Sequence, residues 1–130
     1  MVAFSQMRRS DGSVDWKTAE RFGPDIVRRL ATVKWPVDLL VNVNFPPLDP
    51  ENVAGIRASR QGRREEGTTI TEGVDPAGRS YLWIGNFMND TSSDHETDLA
   101  AIMEGAIAVT PLHLDLTHKT TLKRLEEVFR

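Results

Sequence analysis

The segment Asp38-Leu39-Leu40-Val41-Asn42-Val43-Asn44-Phe45 restricts the possible folds of this 130-residue chain more than any other stretch. Side chains alternate between the two faces of a β-strand, so Leu39, Val41, Val43 and Phe45 share one side and Leu40, Asn42 and Asn44 the other. One side is apolar throughout, and the other changes from leucine to carboxamides towards its C-terminal end. Pro46-Pro47 then ends the strand, because proline cannot continue a ladder. Such a strand suits an α/β domain. Ligands of open α/β sheets bind just beyond the carboxyl ends of the strands, so Asn42 and Asn44 are candidates for a site. The structural alternative is that both amides hydrogen-bond neighbouring loops. Both readings stand at this stage.

The flanking sequence supplies the other elements. Val2 and Phe4 mark a short strand ending at Ser5 and Gln6. Asp15 is a candidate N-cap for a helix in which Trp16, Ala19, Phe22, Ile26, Val27 and Leu30 recur at steps of three and four. Gly23-Pro24 falls inside it and predicts a kink or two short helices. Short β-prone runs follow at Ile56 to Gln61, Thr68 to Val74 and Arg79 to Phe87. The turn Asp75-Pro76-Ala77-Gly78 joins the last two into a hairpin. Tyr81-Leu82-Trp83-Ile84 is apolar on both faces, which predicts cover on both sides. Ser93 to Glu96 has capping-box spacing, with a second cap at Thr97-Asp98, before a helix that Gly105 stops. Ala106 to Thr110 predicts a buried strand ended by Pro111. A terminal helix capped by Thr120 or Thr121 then carries a narrow stripe of Leu122, Leu125 and Phe129.

Composition narrows the chemistry. There is no cysteine, which excludes a disulfide framework, a thiolate zinc site and a cysteine nucleophile. Sixteen Lys and Arg against 19 Asp and Glu give a net charge of −3, without the basic balance of a nucleic-acid-binding domain. Arg57, Arg60, Arg63 and Arg64 form a local basic run, but Glu65 and Glu66 follow at once, as in a solvated loop. No nucleic-acid partner is expected. The longest apolar run, Leu99 to Met103, is five residues, far short of a membrane span, and the expected location is cytoplasmic.

No self-sufficient catalytic motif is present. Phosphate-binding glycine loops, HExxH, EF-hand and nucleophile-elbow patterns are all absent. His95, among Asp94, Glu96 and Asp98, invites a metal reading, but carboxylates at a helix N-terminus explain the same cluster. Asp115 and His118 are three apart, a spacing that suits a hydrogen-bonded pair shaping the turn before the last helix. No catalytic residue and no metal ligand is assigned within the chain.

Several stretches taken together resemble one family. They are Val2-Ala3-Phe4-Ser5-Gln6, Asn42-Val43-Asn44-Phe45-Pro46, Asp75-Pro76-Ala77-Gly78-Arg79 with Tyr81 to Gly85, Thr97-Asp98 leading into Gly105, and Val109-Thr110-Pro111-Leu112 with Asp115-Leu116-Thr117. Their order and spacing are similar to those of the stationary-phase survival family SurE, and specifically to its C-terminal half.

The resemblance implies a metal-dependent phosphomonoesterase, a 5′- and 3′-nucleotidase acting on nucleoside monophosphates with magnesium or manganese. The family's metal ligands, an Asp-Asp pair, a Ser and an Asn, have no counterpart here, so this chain alone is expected to hold no metal and to be inactive. The alternative is a truncated, non-catalytic oligomerisation module. The implied architecture is a Rossmann-like α/β core, with residues 1–47 and 93–112 belonging to it. Residues 48–92 hold a projecting hairpin, and 113–130 a hinge and a C-terminal helix exchanged between subunits. In that arrangement Tyr81, Trp83, Leu122, Leu125 and Phe129 make a homodimer or homotetramer, Asp115 and His118 lie at the hinge, and Asn42 and Asn44 support the site from behind its first ligands.

Overall fold

The computed structural model describes residues 1–62, 70–85 and 95–130. Its elements are β1 (Val2–Gln6), α1 (Lys17–Ala31), β2 (Leu39–Phe45), β3 (Gly55–Ala58), β4 (Ile70–Val74), β5 (Ser80–Ile84), α2 (Asp98–Met103), β6 (Ala106–His113) and α3 (Lys119–Val128). Four strands form one sheet in the order β1-β2-β6-β3, and β4 and β5 pair separately. β1 runs parallel to β2, β6 antiparallel to β2, and β3 parallel to β6.

The alternation in β2 governs the packing. Val41, Val43 and Phe45 are buried against Ile26 of α1 and Ile107 of β6, with Ala19, Phe22 and Leu30 around them. Each fully buried side chain of this size contributes roughly 1.5–3 kcal/mol, so this layer is the main source of stability. On the opposite face α2 lies mainly against β6, where Ala101 and Ile102 pack on Ala106 and Ala108 with Met7.

One expectation about proline is narrowed and one corrected. Helix α1 runs as one element through Pro24, so the alternative of two short helices falls away. Buried Gly23 beside it is a packing residue: a Cβ there would stand 2.9 Å from Cε2 of Phe4, so glycine lets helix and strand approach closely. Strand β6 likewise runs past Pro111 to His113. The Ser59 amide donates to the Val109 carbonyl, so residues 109 and 111 direct their backbone groups towards β3. Because β3 ends at Ala58, the missing N–H of Pro111 removes no ladder bond.

The caps differ in detail. Trp16 occupies the cap position of α1, while the Asp15 carboxylate accepts the Lys17 amide at 3.1 Å. Thr97 caps α2, accepting the Ala100 amide at 3.2 Å, as its position in the sequence suggested. The capping box at Ser93 falls partly outside the described residues. His118 caps α3 through Nδ1, which accepts the Thr121 amide at 3.2 Å, in place of Thr120 or Thr121.

Candidate functional site

Asn42 and Asn44 lie on the sheet face opposite α1. Register sets Asn42 between Ala3 and Thr110, and Asn44 between Ser5 and Ala108. Both amides are half-buried. The Ser5 hydroxyl donates to Asn44 Oδ1 at 3.0 Å. Further along, the Ser59 and Thr110 hydroxyls bond each other at 2.9 Å, with Thr110 only 1% exposed. Ser5, Asn44, Asn42, Thr110 and Ser59 thus form a polar row across β1, β2 and β6 to the residue that follows β3. Sequence reasoning found the two amides and missed the three hydroxyls, because only strand register brings residues of β1, β3 and β6 beside them.

The loops beyond the carboxyl ends of β1 and β2 are stapled together. The Met7 amide donates to the Phe45 carbonyl at 2.9 Å, and Gln6 Nε2 to the Pro46 carbonyl at 2.8 Å. Arg9 Nη2 bridges Asp49 at 2.8 Å and Asp15 at 3.1 Å. The Lys17 amide, followed by the charges of Lys17 and Arg9, holds the Asp15 carboxyl below the usual aspartate range. Thr18, fully buried in the first turn of α1, donates to the Leu48 carbonyl. This end of the sheet is therefore a preorganised rim beside Ser5 and Asn44.

Among the described residues His95 contacts Glu104, and Asp94, which the metal reading included, lies outside them. His95 Nδ1 is 2.7 Å from Glu104 Oε1, and Arg57 Nη1 is 2.7 Å from Glu104 Oε2. Hydrogen bonds from His95 and then Arg57 keep the Glu104 carboxyl below its ordinary value. Arg57 is therefore engaged with a carboxylate, while Arg63 and Arg64 lie outside the described residues. Among the described residues no group of three or more His, Cys, Asp or Glu converges in a way that could hold a metal ion.

The expected Asp115–His118 pair is corrected. Asp115 accepts the Thr117 amide at 2.9 Å and His118 Nδ1 meets Thr121 Oγ1 at 2.7 Å, so each carboxylate or imidazole serves its own turn. Tyr81 and Trp83 are 47% and 65% exposed on β5, and Leu122 and Leu125 on α3 are exposed with Phe129 just after it. Neither set approaches the polar row through a described contact.

The fold and this face define an α/β protein in which Ser5 and Asn44 stand side by side near the carboxyl ends of two adjacent parallel strands. The model of the family described as survival protein SurE matches residues 1–68. The chain belongs to the SurE family. It is 43% identical over 98% of its length to "5′-nucleotidase SurE" of Paramagnetospirillum magneticum, covering 49% of that protein. The protein of the same name from Parvibaculum lavamentivorans is 41% identical over 97% of the chain, which covers 47% of it. The crystal structure of the SurE protein from Aquifex aeolicus superposes with a TM-score of 0.77 at 30% identity, across 99% of this chain and 51% of that one.

The chain spans about half the length of the curated relatives it matches. The narrower expectation of a C-terminal half is corrected to this: the family model matches the opening stretch, residues 1–68, and the relatives establish only a share of about half. Among the described residues no helix is long and apolar enough to cross a membrane.

Proposed function

We propose that this chain is part of a phosphomonoesterase of the 5′/3′-nucleotidase kind, hydrolysing nucleoside monophosphates with a divalent metal, magnesium or manganese. The observation that carries the reading is the identity of about 40% along nearly the whole chain to proteins named 5′-nucleotidase SurE. The described residues do not fit the metal, since no group of three or more His, Cys, Asp or Glu converges among them. The role assigned to this chain is therefore scaffold and site wall: the β1–β2 rim holds Asn42 and Asn44 towards the phosphate from behind the groups that bind the metal. Alone, the chain is inactive.

The exposed apolar side chains of β5 and α3 favour assembly with further copies, through Tyr81 and Trp83 on the arm and Leu122, Leu125 and Phe129 on the helix. Asp115 and His118 lie in the connection that sets the direction of α3. This is the cytoplasmic homodimer or homotetramer that the family resemblance implies.

The test is release of inorganic phosphate from nucleoside monophosphates with magnesium or manganese, using the purified 130-residue chain and a complete relative in parallel. Turnover by the relative and none by the chain is expected. Metal-dependent turnover by the chain, surviving purification, overturns the inactive reading, and failure of the relative removes the nucleotidase reading.

A further inference from the structure

The Ser5 hydroxyl is a donor placed 3.0 Å from the carbonyl end of the Asn44 amide. A carboxamide has one accepting and one donating end, so engaging the oxygen decides which end remains for a ligand. The strand on the other side of Asn44 presents Ala108, a methyl group with no polar atom, at the paired position. Among the described residues nothing accepts the two hydrogens on Nδ2 of Asn44. The side chain is half-buried and its partner Ser5 is exposed, so this donor end remains within reach of a ligand.

A phosphoryl oxygen is an acceptor. An amide held in this orientation meets it with N–H, whereas the reverse orientation would meet it with a carbonyl oxygen and repel it. We propose that Ser5 is a positioning residue: by donating to Asn44 Oδ1 it holds the amide with Nδ2 free to donate to a phosphoryl oxygen at the carboxyl ends of β1 and β2. The inference rests on the phosphatase reading above. It goes beyond that reading by assigning a role to a serine outside any catalytic motif.

The experiment uses the 130-residue chain, labelled with ¹⁵N and titrated with inorganic phosphate, following the side-chain amide signals of Asn44. In the unaltered chain these signals move and saturate. Ser5→Ala weakens the response about five-fold, the scale of one lost orienting hydrogen bond. Ser5→Thr, which keeps the hydroxyl at an exposed strand position, restores it. An unchanged titration in Ser5→Ala overturns the positioning role and leaves the phosphate reading intact. No movement of Asn44 in the unaltered chain overturns both. Should Ser5→Ala lose its native backbone spectrum, Asn44→Asp decides the matter, read at the backbone amides of residues 5 and 44: its carboxylate still accepts from Ser5 but offers no donor, so a phosphate response there equal to that of the unaltered chain overturns the proposal.

Discussion

The ring of Phe4 occupies the space that a side chain at Gly23 would need, with Cε2 2.9 Å from the position of a Cβ. The same ring stands edge-on to Phe45, 5.4 Å between centroids, and so links helix, edge strand and core. Replacing an interior helical glycine by alanine is normally worth about 1 kcal/mol of stability. Here Gly23→Ala displaces the Phe4 ring and forfeits an aromatic contact of about 0.5–1.5 kcal/mol, so the net gain is lost. In the Phe4→Ala background the same substitution recovers it. Urea unfolding of the two single variants and the double variant measures the coupling; additivity within about 0.3 kcal/mol would show that the two residues do not interact.

The buried hydroxyl pair gives a second cycle. Ser59 and Thr110 are 8% and 1% exposed and bond each other at 2.9 Å. Thr110→Val leaves the Ser59 hydroxyl buried without its partner and costs about 1–3 kcal/mol. Ser59→Ala is of similar size in reverse. Removing both hydroxyls together costs clearly less than the sum, because no unsatisfied group remains. Chemical denaturation checks this, and strictly additive losses would contradict it.

The layer formed by β2 and α1 was legible because a period of two and a period of 3.6 are both written locally, in Val41, Val43 and Phe45 and in Ala19, Phe22, Ile26 and Leu30. The strand end expected at Pro111 failed because the consequence of its missing N–H depends on what faces it, and that is a property of the neighbouring strand. The site was half legible for the same reason. Asn42 and Asn44 lie two apart on one strand, whereas Ser5 and Thr110 join them only through pairing across 39 and 68 residues of sequence. The hydrogen bond expected between Asp115 and His118 failed because each finds a nearer backbone partner, at Thr117 and Thr121.

Acid should loosen the hairpin turn. Asp75 Oδ1 accepts the amides of Ala77 and Arg79 at 2.9 Å each, and Oδ2 takes Arg79 Nε at 2.8 Å. The Arg79 amide first, and then the Arg79 side chain, hold this carboxyl below its ordinary value. A carboxyl depressed in the folded state stabilises the fold at pH above its unfolded value and loses that contribution as pH falls through the folded one. Order at the turn should therefore be constant near neutrality and decline below about pH 4. Amide exchange or chemical shifts at Ala77 and Arg79 report it. In Asp75→Asn the turn should be weaker at neutral pH and indifferent to acid; a decline as steep as in the unaltered chain would assign the effect elsewhere.

The arm formed by β4 and β5 provides the last test. A two-stranded hairpin is marginal by itself in water, and this one exposes Leu82, Trp83 and Ile84 at 63%, 65% and 66%. If a second copy covers it, as proposed, the ordered arm and the assembly depend on each other. Trp83→Glu places a charge on the apolar face and should shift sedimentation towards the monomer. Thr71, which faces Trp83 across the ladder, offers a milder control: Thr71→Ser leaves the face intact and should not change the sedimentation profile. A parallel substitution on α3, Leu125→Glu, tests the second contact. Loss of assembly in one variant alone would identify which of the two surfaces carries it, and a sharp monomer in the unaltered chain would remove the proposal for both.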